Sequence, residues 1–108
     1  MKRGDLVVVS AAGDYGKPRP AVVIQSDWLE ATDSVLVALL TSSLVDAPLY
    51  RLRIEPNPAN GLNATSQVMV DKIVAMPRGK CDRVIGRLDQ AAMIALNAML
   101  SVVIGLAD

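Results

Sequence analysis

The sequence predicts a mainly β chain closed by one C-terminal α-helix, a small antiparallel barrel or curled sheet with the helix packed on it. Short runs rich in valine and isoleucine recur, each bounded by Gly, Pro or Asp. The last apolar stretch has helical spacing and no proline. The 108 residues are 52% hydrophobic, enough for one core, so residues 1–108 are read as a single domain. That composition excludes disorder, which needs low hydrophobicity and high net charge. Burial per residue is modest at this size, and pairing with a second copy is a natural source of further stability.

The elements follow in order. Leu6 to Ala11, Ala21 to Ser26 and Ser34 to Thr41 (SVLVALLT) are β-branched runs read as strands. Leu49 to Glu55 (LYRLRIE) alternates, and the shared parity of Arg51 and Arg53 predicts a wet face there. Pro56 to Leu62 (PNPANGL) holds two prolines and an Asn-Gly pair, a turn signal. Gln67 to Ala75 reads as one long strand or two joined by a bend at Asp71, and Arg83 to Leu88 as a last short strand. Asp89 is a helix N-cap, Gln90 to Ile104 continues without Pro or Gly, and Gly105 stands where a left-handed residue ends a helix. Met93, Leu96, Leu100, Val103 and Ile104 form its apolar stripe, flanked by Met99 and Val102. So wide an arc calls for cover from the sheet and from a partner subunit.

Composition removes several classes of function. There is no histidine, which excludes a catalytic triad or imidazole acid–base pair, and no phosphate-binding or dinucleotide glycine motif. Cys81 is the only cysteine, so neither an internal disulfide nor a zinc cluster is available, and the chain reads as a reduced cytosolic protein. The basic start, MKRGDLVVVS, lacks the apolar core and cleavage site of a secretion signal. Ala91 to Ala107 is broken by Asn97 and Ser101 and falls short of the roughly 18 to 20 residues a bilayer needs, so a buried helix is expected and no membrane partner. Tyr15, Trp28 and Tyr50 are the only aromatics, too few for a base-stacking platform of the RNA-recognition type.

The eleven basic and eleven acidic residues cancel overall but are segregated along the chain. Residues 1–20 carry +2, residues 21–50 carry −4, residues 51–87 carry +4 and the remainder −2. If the two basic stretches meet in space they form an anion-binding surface; scattered over the molecule they are a solvated exterior.

Three places could carry chemistry. In the segment from Ala12 to Pro20, two prolines force Lys17 and Arg19 into extended backbone. An arginine fork takes a phosphate through two parallel hydrogen bonds and keeps its proton, so Arg19 suits stabilisation of charge on phosphorus. The alternative is a proline-stiffened surface loop. Thr41, Ser42 and Ser43 end an apolar strand, where a rigid scaffold can aim side chains at a ligand or where hydroxyls can simply bond local backbone. Asp71 has apolar flanks, and either transfers protons or marks a bulge and pairs with a cation.

The order of segments resembles the MazF/PemK toxin family across essentially the whole chain. The matching motifs are RGD before valines at Arg3 to Val9, GKPRP and AVVI at Gly16 to Ile24, LLTSSL at Leu39 to Leu44, NGL at Asn60 to Leu62, SQVMVDKI at Ser66 to Ile73 and IGRLD at Ile85 to Asp89. The resemblance implies an SH3-like antiparallel barrel of the MazF/CcdB type with a C-terminal helix, and a homodimer. It implies the toxin component of a type II toxin-antitoxin system, cleaving single-stranded RNA sequence-specifically without a metal ion or other cofactor and so inhibiting translation and growth. It also implies an antitoxin whose flexible tail blocks the RNA groove.

By the same resemblance Arg19 and Thr41 take the roles of the family's catalytic pair. Asp71 matches an aspartate that some members use, although the arginine those members carry two residues earlier is Met69 here. The expected RNA-binding residues are Tyr15, Lys17, Ser42, Ser43, Lys72 and Arg78. The ribose 2′-hydroxyl attacks the adjacent phosphate and leaves a 2′,3′-cyclic phosphate. A CcdB-like gyrase-binding toxin and a non-catalytic binding barrel share the fold; the gyrase contact resembles a tryptophan near the C-terminus, whereas the tryptophan here is Trp28.

Overall fold

Each valine-rich run becomes a strand because alternate residues find apolar cover on both sides of one sheet. In a computed structural model, which describes residues 1–10 and 17–108, the elements are β1 (Asp5–Val9), β2 (Arg19–Val23), β3 (Ser34–Thr41), β4 (Arg51–Ile54), β5 (Ser66–Pro77), β6 (Cys81–Arg87) and α1 (Gln90–Val103). The sheet order is β4-β5-β3-β2-β1-β6, with antiparallel neighbours throughout. The expected architecture is therefore present, and β3 has the expected bounds. Predicted strand ends elsewhere differ by a few residues where pairing starts or stops.

The connection between β5 and β6 shows that the sheet is curled. A single 3₁₀ turn, Arg78–Lys80, joins two strands that lie four positions apart in the sheet. Flat, those strands would be separated by about 19 Å, whereas the connection spans at most about 14 Å. The sheet must bend round to bring its ends together.

Curling divides the core in two. One side gathers Leu6, Val22, Ala38, Leu40, Val68, Val70 and Leu88 beneath Leu96 and Leu100 of α1. The other holds Val7, Val9, Ala21, Val23, Val35, Val37 and Met76. Adjacent residues of β1 and β2 thus point to opposite cores, which explains the nearly continuous apolar sequence. Burial raises the pKa of the Cys81 thiol beside this second cluster, with the Arg78 cation opposing the shift.

The long strand β5 does bend where Asp71 predicts. Between the pairs Ala38–Ile73 and Leu40–Val68 the ladder with β3 loses register, leaving Met69 to Lys72 as the irregular stretch. Helix α1 starts as expected, with the Asp89 carboxylate accepting the Ala92 amide at 2.8 Å, and it ends before Gly105 at φ +80°. Its apolar stripe is only partly used: Leu96 and Leu100 are buried, while Val103, Ile104 and the flanking Val102 remain exposed within the chain, as does Ile94 outside the stripe. The sheet covers one side of the helix and leaves its C-terminal end open. Among the described residues no helix is long and apolar enough to cross a membrane.

The wet face expected on β4 holds only at Arg53. The Arg51 side chain is 13% exposed, with its guanidinium carbon 5.9 Å from the centre of the Tyr50 ring and its Nε 3.4 Å from Asp71. Strand parity aimed Arg51 outward, but the tyrosine and the bend in β5 cover it.

Candidate active site

Where β2 and β3 begin to part, Pro20 removes a backbone donor and the ladder stops. Their recorded pairs are Ala21–Leu39, Val22–Ala38 and Val23–Val37. The same register continued by two residues sets Arg19 opposite Thr41, on the same face of the sheet. The proline pair Pro18 and Pro20 holds Arg19 in the extended conformation expected of it, at the first position of β2.

Both residues line a cleft of about 610 Å³. Ser42 and Ser43 extend its hydroxyl wall, and Leu62, Asn63, Ala64 and Ser66 form a second wall. Arg83 and Ile85 enter from β6. Among the described residues, the charged ones lining the cleft are Arg19 and Arg83, and no carboxylate lines it. Its electrostatic character is therefore cationic although the chain is neutral, as the segregated charges allowed.

The hydroxyl of Thr41 accepts the backbone N–H of Ser43 at 3.1 Å. Local turn bonding and a site role are thus not exclusive, because a hydroxyl that accepts one bond retains its own proton to donate. Gln67, the partner of Thr41 in the β3–β5 ladder, is buried and bonds Val45 through both ends of its amide, fixing the segment after Ser43.

The second wall is built by Asn60. Its side-chain oxygen accepts the amides of Asn57 and Leu62, and its amide group donates to the Glu55 carbonyl at 2.9 Å. The predicted Asn-Gly turn lies tight against β6: a β-carbon on Gly86 would collide with the carbonyls of Ala59 and Asn60. Beside this loop, hydrogen bonds from Arg53 and then Thr65 hold the Glu55 carboxyl below its usual pKa.

The other expected site residues fall elsewhere. Asp71 is not among the residues lining the cleft; its carboxylate faces Arg51 on the β4–β5 side, at 3.4 Å from the Nε. Lys72 is exposed at the same bend, outside the cleft lining. Arg78 donates to the carbonyls of Thr32 and Leu29 and so clamps the β2–β3 connection at the far end of the sheet. Sequence position within a basic stretch did not reveal that its guanidinium is already engaged. Lys17 is exposed next to Pro18 but is not among the lining residues. Tyr15 lies outside the described residues. Conversely, Arg83 was visible beforehand only as one cation among the seven in residues 51–87, without a motif to single it out.

A family model described as PemK-like, MazF-like toxin of type II toxin-antitoxin systems matches residues 2–104. The chain belongs to this family. A relative named probable endoribonuclease MazF, from Mycolicibacterium smegmatis, is 45% identical over 108 residues, covering 99% of each chain. The toxin MazF-mt6 of Mycobacterium tuberculosis superposes with a TM-score of 0.80 at 20% identity, over 94% of this chain and 96% of that one. A mycobacterial endoribonuclease solved with its cognate antitoxin gives 0.81 at 20% identity, over 98% and 96%. Deinococcus radiodurans MazF gives 0.77 at 17% identity, over 97% and 96%. These superpositions show that the curled sheet with its terminal helix is the MazF-type fold.

Proposed function

We propose that this PemK/MazF-type toxin is an endoribonuclease that cleaves single-stranded RNA sequence-specifically without a metal ion. The observation that carries this reading is the cleft in which Arg19 and Thr41 share a face and the charged lining residues, among those described, are both arginines. Such a cleft favours a polyanion, and its apolar portions, Leu62 and Ile85 among them, give bases a surface to lie on.

In the proposed reaction the ribose 2′-oxygen attacks the adjacent phosphorus, losing its proton to solvent, and the bond to the 5′-oxygen of the next nucleotide breaks as that oxygen takes a proton from solvent. The products are a 2′,3′-cyclic phosphate and a 5′-hydroxyl. Arg19 stabilises the negative charge gathering on the phosphate oxygens, since a guanidinium donates in a fork and keeps its proton. The Thr41 hydroxyl, oriented by the Ser43 amide, donates to the phosphate and holds it in line for attack. Ser42 and Ser43 contact the RNA backbone. Catalysis is assigned to Arg19 and Thr41, with Asp71 as the anchor of Arg51.

The chain works as a single domain in the cytoplasm, where its RNA substrate lies, and as a homodimer whose contact includes the exposed apolar end of α1. Its second partner is a cognate antitoxin whose flexible tail occupies the RNA cleft, a reading supported by the antitoxin complex of a relative with the same fold. The test is to incubate the purified protein with end-labelled RNA in excess EDTA, beside a supercoiled-DNA gyrase assay. Fragments with cyclic-phosphate ends are expected. Intact RNA with gyrase inhibited would move the chain to the gyrase-binding class.

A further inference from the structure

We infer that Arg83 holds a phosphate next to the scissile one, making it a positioning residue for the RNA strand; this rests on the cleavage reading above. The argument begins with the ladder between β1 and β6. Leu6 pairs with Gly86, Val7 with Val84 and Val9 with Cys81, so β6 carries one extra residue on each side of Val84. A bulge leaves a residue out of the pairing pattern and redirects its neighbours' side chains. Both places contribute to the cleft: Ile85 from the first and Arg83 from the second.

Strand β1 lies between β2 and β6, and Val9 pairs with Arg19 on one side and Cys81 on the other. Arg19 and Arg83 therefore stand on strands separated by two spacings, about 10 Å. At that separation two successive phosphates of one strand can each take one guanidinium.

Arg83 is also available. Its side chain is 66% exposed, and its partner is the neighbouring carboxylate of Asp82, 3.1 Å away and 69% exposed. A surface pair of this kind contributes little and is readily exchanged. A phosphate of the incoming strand replaces Asp82 without burying an unpaired charge, so Asp82 competes with the substrate for the same guanidinium.

The experiment measures both cleavage and binding. On RNA, Arg83→Ala is expected to raise KM about tenfold, the loss of one charge-assisted contact, with kcat nearly unchanged. On a single-stranded 2′-deoxy oligonucleotide, which cannot be cut, the slope of log affinity against log salt should fall by about 0.7, one phosphate contact fewer. Arg83→Lys should restore the slope, and Asp82→Ala should lower KM. Unchanged KM and slope in Arg83→Ala, with the parent still cutting RNA, would overturn the inference and leave the cleavage reading intact. A collapse of kcat at constant KM would move Arg83 onto the scissile phosphate and overturn the flanking position. A parent that binds the deoxy strand with the expected slope loss in Arg83→Ala, yet cuts no RNA, would retain the phosphate contact and overturn only the cleavage reading. A parent that binds no strand overturns both.

Discussion

Arg19 and Thr41 face each other across the gap where β2 and β3 separate, two residues beyond the last recorded pair, Ala21 and Leu39. The strand scaffold therefore brings a permanent cation and a hydroxyl to one cleft. Arg19→Ala and Arg19→Lys should both lower kcat by about a thousandfold while leaving the thermal transition in place, because the lysine keeps charge but not the fork. Thr41→Ala should cost less activity and change stability by no more than about 1 kcal/mol. Cleavage rates and urea midpoints for the three proteins check this; an Arg19→Ala protein as fast as the parent refutes the assignment.

Asn60 determines the shape of the opposite wall. It is 1% exposed and satisfies the backbone of Glu55, Asn57 and Leu62. Asn60→Ala leaves those groups without their partner and should destabilise the chain by about 3 kcal/mol, read from the denaturant midpoint. Gly86→Ala should be damaging for a different reason, the collision of its methyl group with the Ala59 and Asn60 carbonyls.

Asp71 should behave as a structural residue. In Asp71→Asn the largely covered Arg51 guanidinium loses its counter-charge. The loss expected is about 1–2 kcal/mol, below the 3–5 of a fully buried pair because the carboxylate is 34% exposed. RNA cleavage at a temperature where the variant is folded should stay near the parent rate. A thousandfold fall in kcat with unchanged stability would return Asp71 to the catalytic group.

Glu55 predicts an acid-side effect. Its hydrogen bonds from Arg53 and Thr65 hold the folded-state pKa below the unfolded value. The stabilisation is present above the unfolded value and is lost as pH falls through the lowered folded one, where the unfolded chain binds more protons. Glu55→Gln should therefore show a smaller drop in melting temperature between pH 7 and pH 3 than the parent. The group is solvent-exposed, so the difference should be small and should shrink further in high salt.

Much of this molecule was legible before its coordinates. Strand β3 and the capped start of α1 follow from β-branched runs, an N-cap carboxylate and a terminal glycine, all local signals. The stiff Pro-Arg-Pro segment and the hydroxyls ending β3 marked one wall of the cleft for the same reason. Arg83 was hidden because a bulge is a property of two paired strands, and its residue types look ordinary in either strand alone. Arg51 was misread for a related reason: parity gives the direction of a side chain, not what lies over it.

By itself the sequence determined which segments pair or coil, where they stop, and that a cation and a hydroxyl end two neighbouring strands, because these depend on backbone preferences within a few residues. Only the tertiary structure decided which of the eleven cations serve the cleft. Curling the sheet carries β6 and the Asn60 loop to the side of Arg19, turns Arg78 into a clamp at the far end and leaves Asp71 with Arg51. The physical reason is that the range of a charge is short beside the distances the chain travels, so its partner is chosen by folding and not by position in the sequence.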